Sequence, residues 1–186
     1  MTRAPPTPTS RGESKLETKD IVSSRPSDET DLKAPGSGNT TIDSFTIGAG
    51  YAFLSNFHPS TIVVDGHKYA TVEHAYQAHK TLNERSRELI RSAADPAAAK
   101  KLGRGVEMRP DWDAVKVDLM RQFVRKKFES PFLAHALLGT GDANLVHGNT
   151  WNDRFWGVCR GAGHNWLGRI LMEVRDEIRS SRGHDF

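Results

Sequence analysis

The sequence predicts an α+β fold, a predominantly helical single domain with a small β-sheet, behind a disordered N-terminal tail. Three observations carry this reading. Residues 1–42 hold five of the nine prolines and no aromatic residue, a composition that buries too little apolar surface to offset its ordering entropy. Beyond that tail, helical punctuation recurs five or more times. Strand-like runs are few and short. A chain of 186 residues suits one core with an appended tail, since domains run to about 100–200 residues. The domain is therefore expected over 43–182.

In chain order, Phe45 and Ile47 alternate with polar neighbours, and the run from Thr61 to Tyr69 places an Asp65-Gly66 turn between two strand-like halves, a hairpin signal. Thr71 is a good N-cap for a helix from Val72 to about Leu82, which contains neither Gly nor Pro. A second helix is expected from about Glu84 to Ala93. A third is marked by Asp95 as N-cap, Pro96 at the first helical position and Gly103 just past the end. From Trp112 to Phe128 the apolar residues Trp112, Val115, Leu119, Phe123 and Val124 follow one helical face, with Lys116, Arg121, Arg125 and Lys126 on others. Phe132–Leu138 reads as a short helix closed by Gly139, Leu145-Val146-His147 as a strand, and Leu167–Ile178 as a last amphipathic helix.

Composition narrows the function classes. The formal net charge is +3, and 26 Lys and Arg lie interspersed with 23 acidic residues, so no basic arm or stripe marks general nucleic-acid binding. The single cysteine, Cys159, allows no intrachain disulfide and no multi-cysteine zinc site; it reads as a small buried residue rather than a nucleophile. No apolar run approaches the roughly 18 residues that span a bilayer, and the N-terminus lacks a signal-peptide core. The expected setting is the cytoplasm, without membrane contact. Eight histidines are present, but His74 and His79 are five apart on different helix faces, so no metal is expected.

Two segments carry candidate chemistry. In the first helix Glu73, Gln77 and Lys80 stand at i, i+4 and i+7, on one face. The backbone rise from Glu73 to Lys80 is about 10 Å, of which a lysine leaning toward the helix N-terminus recovers roughly half. The same stripe is also what a solvated helix face looks like, and spacing alone leaves both readings open. In the second segment, Asn149 to Gly157, the aromatics Trp151, Phe155 and Trp156 surround Asp153 without helical or strand periodicity. Such rings suit a flat base, or else plug the core beneath a loop. Gly157, Gly161 and Gly163 then precede Asn165, which opens the last helix, so backbone N–H groups there are candidates for receiving phosphate.

Phe53-Leu-Ser-Asn-Phe57, Val72-Glu-His-Ala-Tyr-Gln-Ala78 with Lys80, Phe155-Trp-Gly157, and Gly163-x-Asn165-x-Leu167-Gly168 leading into Leu171-Met-Glu-Val-Arg175 together resemble the NADAR family, which includes the YbiA-like N-glycosidases. Arg109-Pro-Asp-Trp112 and Thr140-Gly-Asp-Ala143 also fit the resemblance. It covers about Phe45 to Arg179. The resemblance implies a mostly helical α+β domain that cleaves base–ribose N-glycosidic bonds without a cofactor, water being the co-substrate. It implies Glu73, Lys80 and Asp153 as catalytic residues, and Ser55, Asn56, Phe57, His74, Gln77, Trp151, Phe155, Trp156, Gly157 and Asn165 as substrate-binding residues.

Members of the family act on phosphoribosylated aminopyrimidine intermediates of riboflavin synthesis, or remove ADP-ribose from modified guanine. Two departures bear on the choice. His79 stands where relatives often carry Gln, and Gly157-Val-Cys-Arg-Gly161 replaces the Asp- and Gly-rich version of riboflavin-pathway members. The expected partner is therefore ADP-ribosylated guanine, in nucleotide or nucleic acid, with the ribose-phosphate metabolite as the alternative substrate. A third alternative is a module that binds ADP-ribose without hydrolysing it, against which the presence of both Glu73 and Lys80 argues.

Overall fold

The computed structural model describes Met1 and residues 40–46 and 50–183; the expected disorder of residues 2–39 and the alternation at Ile47 lie outside the described residues. The fold is α+β, with six α-helices and three two-stranded ribbons among the described residues. Its centre is α1, Val72–Ala78, every residue of which is buried. It packs against α2 (Glu84–Arg91), α3 (Pro96–Gly103) and α4 (Trp112–Phe128). The other side of the domain is α5 (Pro131–Leu138) and α6 (Trp166–Arg182), which pack on each other and on α4.

Local chemistry explains the helix starts. Thr71 accepts from the His74 N–H, Asn83 from the Ser86 N–H and Asp95 from the Ala98 N–H, while Pro96 and Pro131 sit in first turns. The apolar faces of α4 and α6 then meet: Phe123, Val124, Ile170, Leu171 and Val174 are buried in one core. Along the outer seam Arg121 donates to Glu173 at 2.9 Å, and Arg125 pairs with Glu177. Such exposed pairs stabilise by only about 0–1 kcal/mol each, so apolar burial sets the helix packing.

The β structure is more fragmented than the single small sheet expected. β2 (Ile62–Val64) and β3 (His67–Tyr69) form the antiparallel hairpin about Asp65-Gly66, where both turn residues have positive φ. β1 (Thr41–Ile42) runs parallel to β4 (Asn144–Leu145), and β5 (Gly148–Asn149) parallel to β6 (Val158–Cys159). Thr41 and Ile42, assigned by composition to the tail, thus belong to the domain; Ile42 is buried, and its pairing partner lies a hundred residues away, where composition carries no signal. The strand expected through His147 stops at Leu145.

Several helix ends also move. α1 stops at Ala78 rather than near Leu82, because the Lys80 N–H bonds the Gln77 carbonyl and the Lys80 carbonyl accepts the Arg109 N–H at 2.7 Å. α2 stops at Arg91, and α6 runs from Trp166 to Arg182, beyond the limits expected. No helix among the described residues is long and apolar enough to cross a membrane.

Candidate active site

A cavity of about 680 Å³ opens between α1, the loop 55–59, α3 and the loop 147–156. Ser55, Asn56, Phe57, Glu73, Gln77, Lys80, Trp151, Asp153 and Trp156 all line it. The Glu73–Gln77–Lys80 stripe is therefore not a solvated face. Glu73 and Gln77 are 6 % and 3 % exposed, because α1 is wrapped by α2, α3 and α4.

Glu73 is held on two sides. Its backbone N–H donates to the Asn56 carbonyl at 3.1 Å, and its Oε1 accepts from Gln77 Nε2 at 2.7 Å. Burial raises the Glu73 carboxyl above its ordinary value, against the Gln77 hydrogen bond and the positive charges of Lys100 and Lys80. Gln77 in turn has its Oε1 buried without a partner. A Cβ at Gly103 would lie 2.1 Å from that oxygen, so the absence of a side chain in α3 makes room for the amide that holds Glu73.

Lys80 is half-buried two residues past the end of α1, with its Nζ 5.4 Å from the centroid of the Tyr76 ring. Burial lowers its pKa; nearby Glu73 opposes this, while Lys100 and Arg104 add to it. No ion pair joins Lys80 to Glu73 among the described residues. A carboxyl shifted up and an amine shifted down in one cavity are the protonation tendencies that acid–base and nucleophilic chemistry need.

Opposite α1, Asp153 accepts at Oδ1 from the N–H groups of Phe155 and Trp156, at 3.1 and 2.9 Å, and Asn149 brackets its backbone from both sides. These bonds shape a tight turn while Asp153 lines the cavity. The two tryptophans differ. Trp156 packs against the core and donates from Nε1 to the Tyr76 hydroxyl at 3.2 Å. Trp151 is 56 % exposed at the rim, and its one aromatic contact among the described residues is edge-on to His147.

Four expected substrate contacts do not line the cavity. His74 is buried beneath α1, bonded through Nδ1 to Thr71 Oγ1 and donating from Nε2 to the Ala93 carbonyl; its position in the helix points it into the core. Phe155 packs on Trp156, His164 and Trp166, with Lys116 Nζ over its ring. Gly157 is a packing residue, since a Cβ there would lie 2.2 Å from the His147 carbonyl. Asn165 spends its side chain on the backbone, accepting from the His147 N–H and donating to the Leu145 carbonyl.

The helix N-terminus, one half of the phosphate reading, is corrected for the same reason. The N–H groups of Asn165, Trp166 and Leu167 at the start of α6 donate to the carbonyls of Gly157, Phe155 and Trp156. They are already engaged by the protein's own loop.

Tyr76, Lys100 and His147 are among the cavity residues that escaped sequence reasoning. Tyr76 faces the cavity from α1, its phenol raised by burial. Lys100 comes from α3, which reads as structural, and places Nζ 5.6 Å from the Phe57 ring centroid. His147 stacks on Phe45 at 5.5 Å and has its pKa lowered by burial. Of the three, only Tyr76 lay within a recognisable motif; Lys100 and His147 carried no local signal.

The family model for the NADAR domain matches residues 45–179. Over 144 residues the chain is 40 % identical to the N-glycosidase YbiA of Escherichia coli (strain K12), covering 75 % of this chain and 89 % of that protein. It is 43 % identical over 151 residues to an N-glycosidase of Nostoc punctiforme, covering 75 % and 94 %. It is also 43 % identical over 133 residues to a riboflavin biosynthesis protein of Vibrio vulnificus, covering 69 % of this chain and 36 % of that one. The NMR structure of the E. coli protein YbiA superposes with a TM-score of 0.74 at 34 % identity, over 83 % of this chain and 96 % of that one.

Proposed function

The chain belongs to the NADAR family, and from that premise we propose that it is an N-glycosidase that releases ADP-ribose from ADP-ribosylated guanine. The observation that carries the reading is one cavity holding Glu73, raised by burial, and Lys80, lowered by burial, beneath the exposed ring of Trp151. An open aromatic rim suits a base that remains attached to a larger molecule.

In the reaction the bond between ribose C1 and the base nitrogen breaks and a bond between C1 and a water oxygen forms; one water proton ends on the departing nitrogen. Glu73 serves as the general acid and base at that linkage. Asp153 holds the ribose hydroxyls, Trp151 stacks on the base, and Asn56 and Gln77 orient the reacting groups. Lys100, on the cavity wall, supplies positive charge for the phosphates in place of the engaged N-terminus of α6. In a covalent variant the ribose ring opens with C1 doubly bonded to the base nitrogen, the neutral amine of Lys80 adds to C1, the C1–base bond breaks as the base leaves with a proton from the amine, and water then hydrolyses the resulting imine and returns the amine.

A second reading, hydrolysis of a phosphoribosylated aminopyrimidine, is favoured by the relative named as a riboflavin biosynthesis protein. The deciding experiment offers both substrates to the wild type and to Glu73→Ala and Lys80→Ala. Release of ADP-ribose from the modified guanine alone, lost in both variants, is the expected result. Cleavage of the pyrimidine alone moves the protein to the second reading, and binding of ADP-ribose with cleavage of neither leaves a binding module.

A further inference from the structure

Lys127 is 2 % exposed near the end of α4, yet no carboxylate lies within ion-pair distance among the described residues. Its Nζ donates to the Ser55 carbonyl at 2.7 Å, which also accepts the His58 N–H at 3.1 Å; its other close feature is the Phe128 ring, 5.4 Å away. A buried ammonium without a counter-charge is costly, and burial alone brings its pKa down to about 7. Its charge is felt by His58, whose pKa it helps burial to lower.

The carbonyl it grips leads directly into the site. Ser55 and Asn56 line the catalytic cavity, and the Asn56 carbonyl accepts the backbone N–H of Glu73. Among the described residues Asn56 Nδ2 meets only Met120 Sδ, at 3.4 Å, so its side chain is weakly anchored. Behind the same loop lies a second cavity, of about 740 Å³, to which Lys127, His58 and Pro59 contribute. The segment from Ser55 to Pro59 is thus a wall of the first cavity, and its His58–Pro59 end has open space on both faces.

We propose that Lys127 is a positioning residue for the reaction, its buried side chain clamping the Ser55–Pro59 wall so that Asn56 and Glu73 keep their places in the cavity. The inference builds on the N-glycosidase reading. It predicts that a group unfavourable to stability is retained for function.

The test is Lys127→Met, which keeps the apolar stem and removes the ammonium, with Lys127→Gln as a shorter donor. Lys127→Met is expected to melt at or above the wild-type temperature, while kcat falls about 10- to 100-fold with little change in KM. Lys127→Gln recovers part of that loss. Amide hydrogen exchange at Glu73, whose N–H bonds Asn56, accelerates in Lys127→Met while the amides of α6 stay as protected as before.

Unchanged kcat and unchanged Glu73 exchange overturn the proposal, as does a parallel loss of melting temperature and of protection in all helices, which marks Lys127 as merely structural. If Lys127→Met does not fold, Lys127→Gln answers the same questions. Should the wild type cleave neither substrate, the N-glycosidase reading fails while the Glu73 exchange still decides the clamp.

Discussion

Replacing Trp151 by alanine separates a substrate platform from a core plug. The side chain is 56 % exposed, and its aromatic contact with protein is the edge-on one to His147, at 5.9 Å between centroids. Loss of that contact costs about 0.5–1.5 kcal/mol of stability. A base stacked on the indole loses about 1–3 kcal/mol by the same change, and since 1.4 kcal/mol is a factor of ten, kcat/KM falls about 5- to 150-fold. Trp156 is the internal control. It is partly buried against the core and donates to the Tyr76 hydroxyl, so Trp156→Ala costs up to about 3–5 kcal/mol of stability. The assay is steady-state base release beside thermal melting for Trp151→Ala, Trp151→Phe and Trp156→Ala. The reasoning is refuted if Trp151→Ala keeps the wild-type kcat/KM, or if it melts as low as Trp156→Ala.

Glu73→Gln is expected to lower kcat by about 10²–10⁴ while melting higher than the wild type at neutral pH. Because burial raises the Glu73 pKa, its contribution to stability is fully present below the unfolded value and is lost as pH rises through the folded one; the advantage of the variant should therefore grow from acid to neutral pH, and a constant difference counts against the assignment. Gly103→Ala puts a Cβ 2.1 Å from Gln77 Oε1, so a crystal structure should show the amide displaced from Glu73, with about 1–3 kcal/mol of stability lost to overpacking and kcat reduced. Borohydride added during turnover should leave a reduced substrate adduct on Lys80, seen by mass spectrometry; its absence while the substrate is cleaved excludes the covalent variant.

The sequence by itself determined the helices and most of their starts, because caps, first-turn prolines and one-sided apolar stripes act over a few residues. Asp95-Pro96 and Thr71 mark their helices in the structure as they do on paper, and Trp112–Phe128 is helical over its whole expected length. Family motifs, being runs of contiguous residues, were equally legible. What only the tertiary structure decided was which side chains share a space. The stripe from Glu73 to Lys80 is a cavity wall rather than a wet surface because three other helices enclose α1, a fact that no spacing within α1 contains. Lys100 and His147 join the site across the fold, and Lys127, which follows exposed Arg125 and half-exposed Lys126 in sequence, is buried by the loop it holds. The N-terminus of α6 looked open for phosphate because a sequence shows how many N–H groups a segment has, but not which carbonyls lie opposite them. Burial and hydrogen-bond partnership are properties of pairs distant along the chain, and those pairs exist only once it has folded.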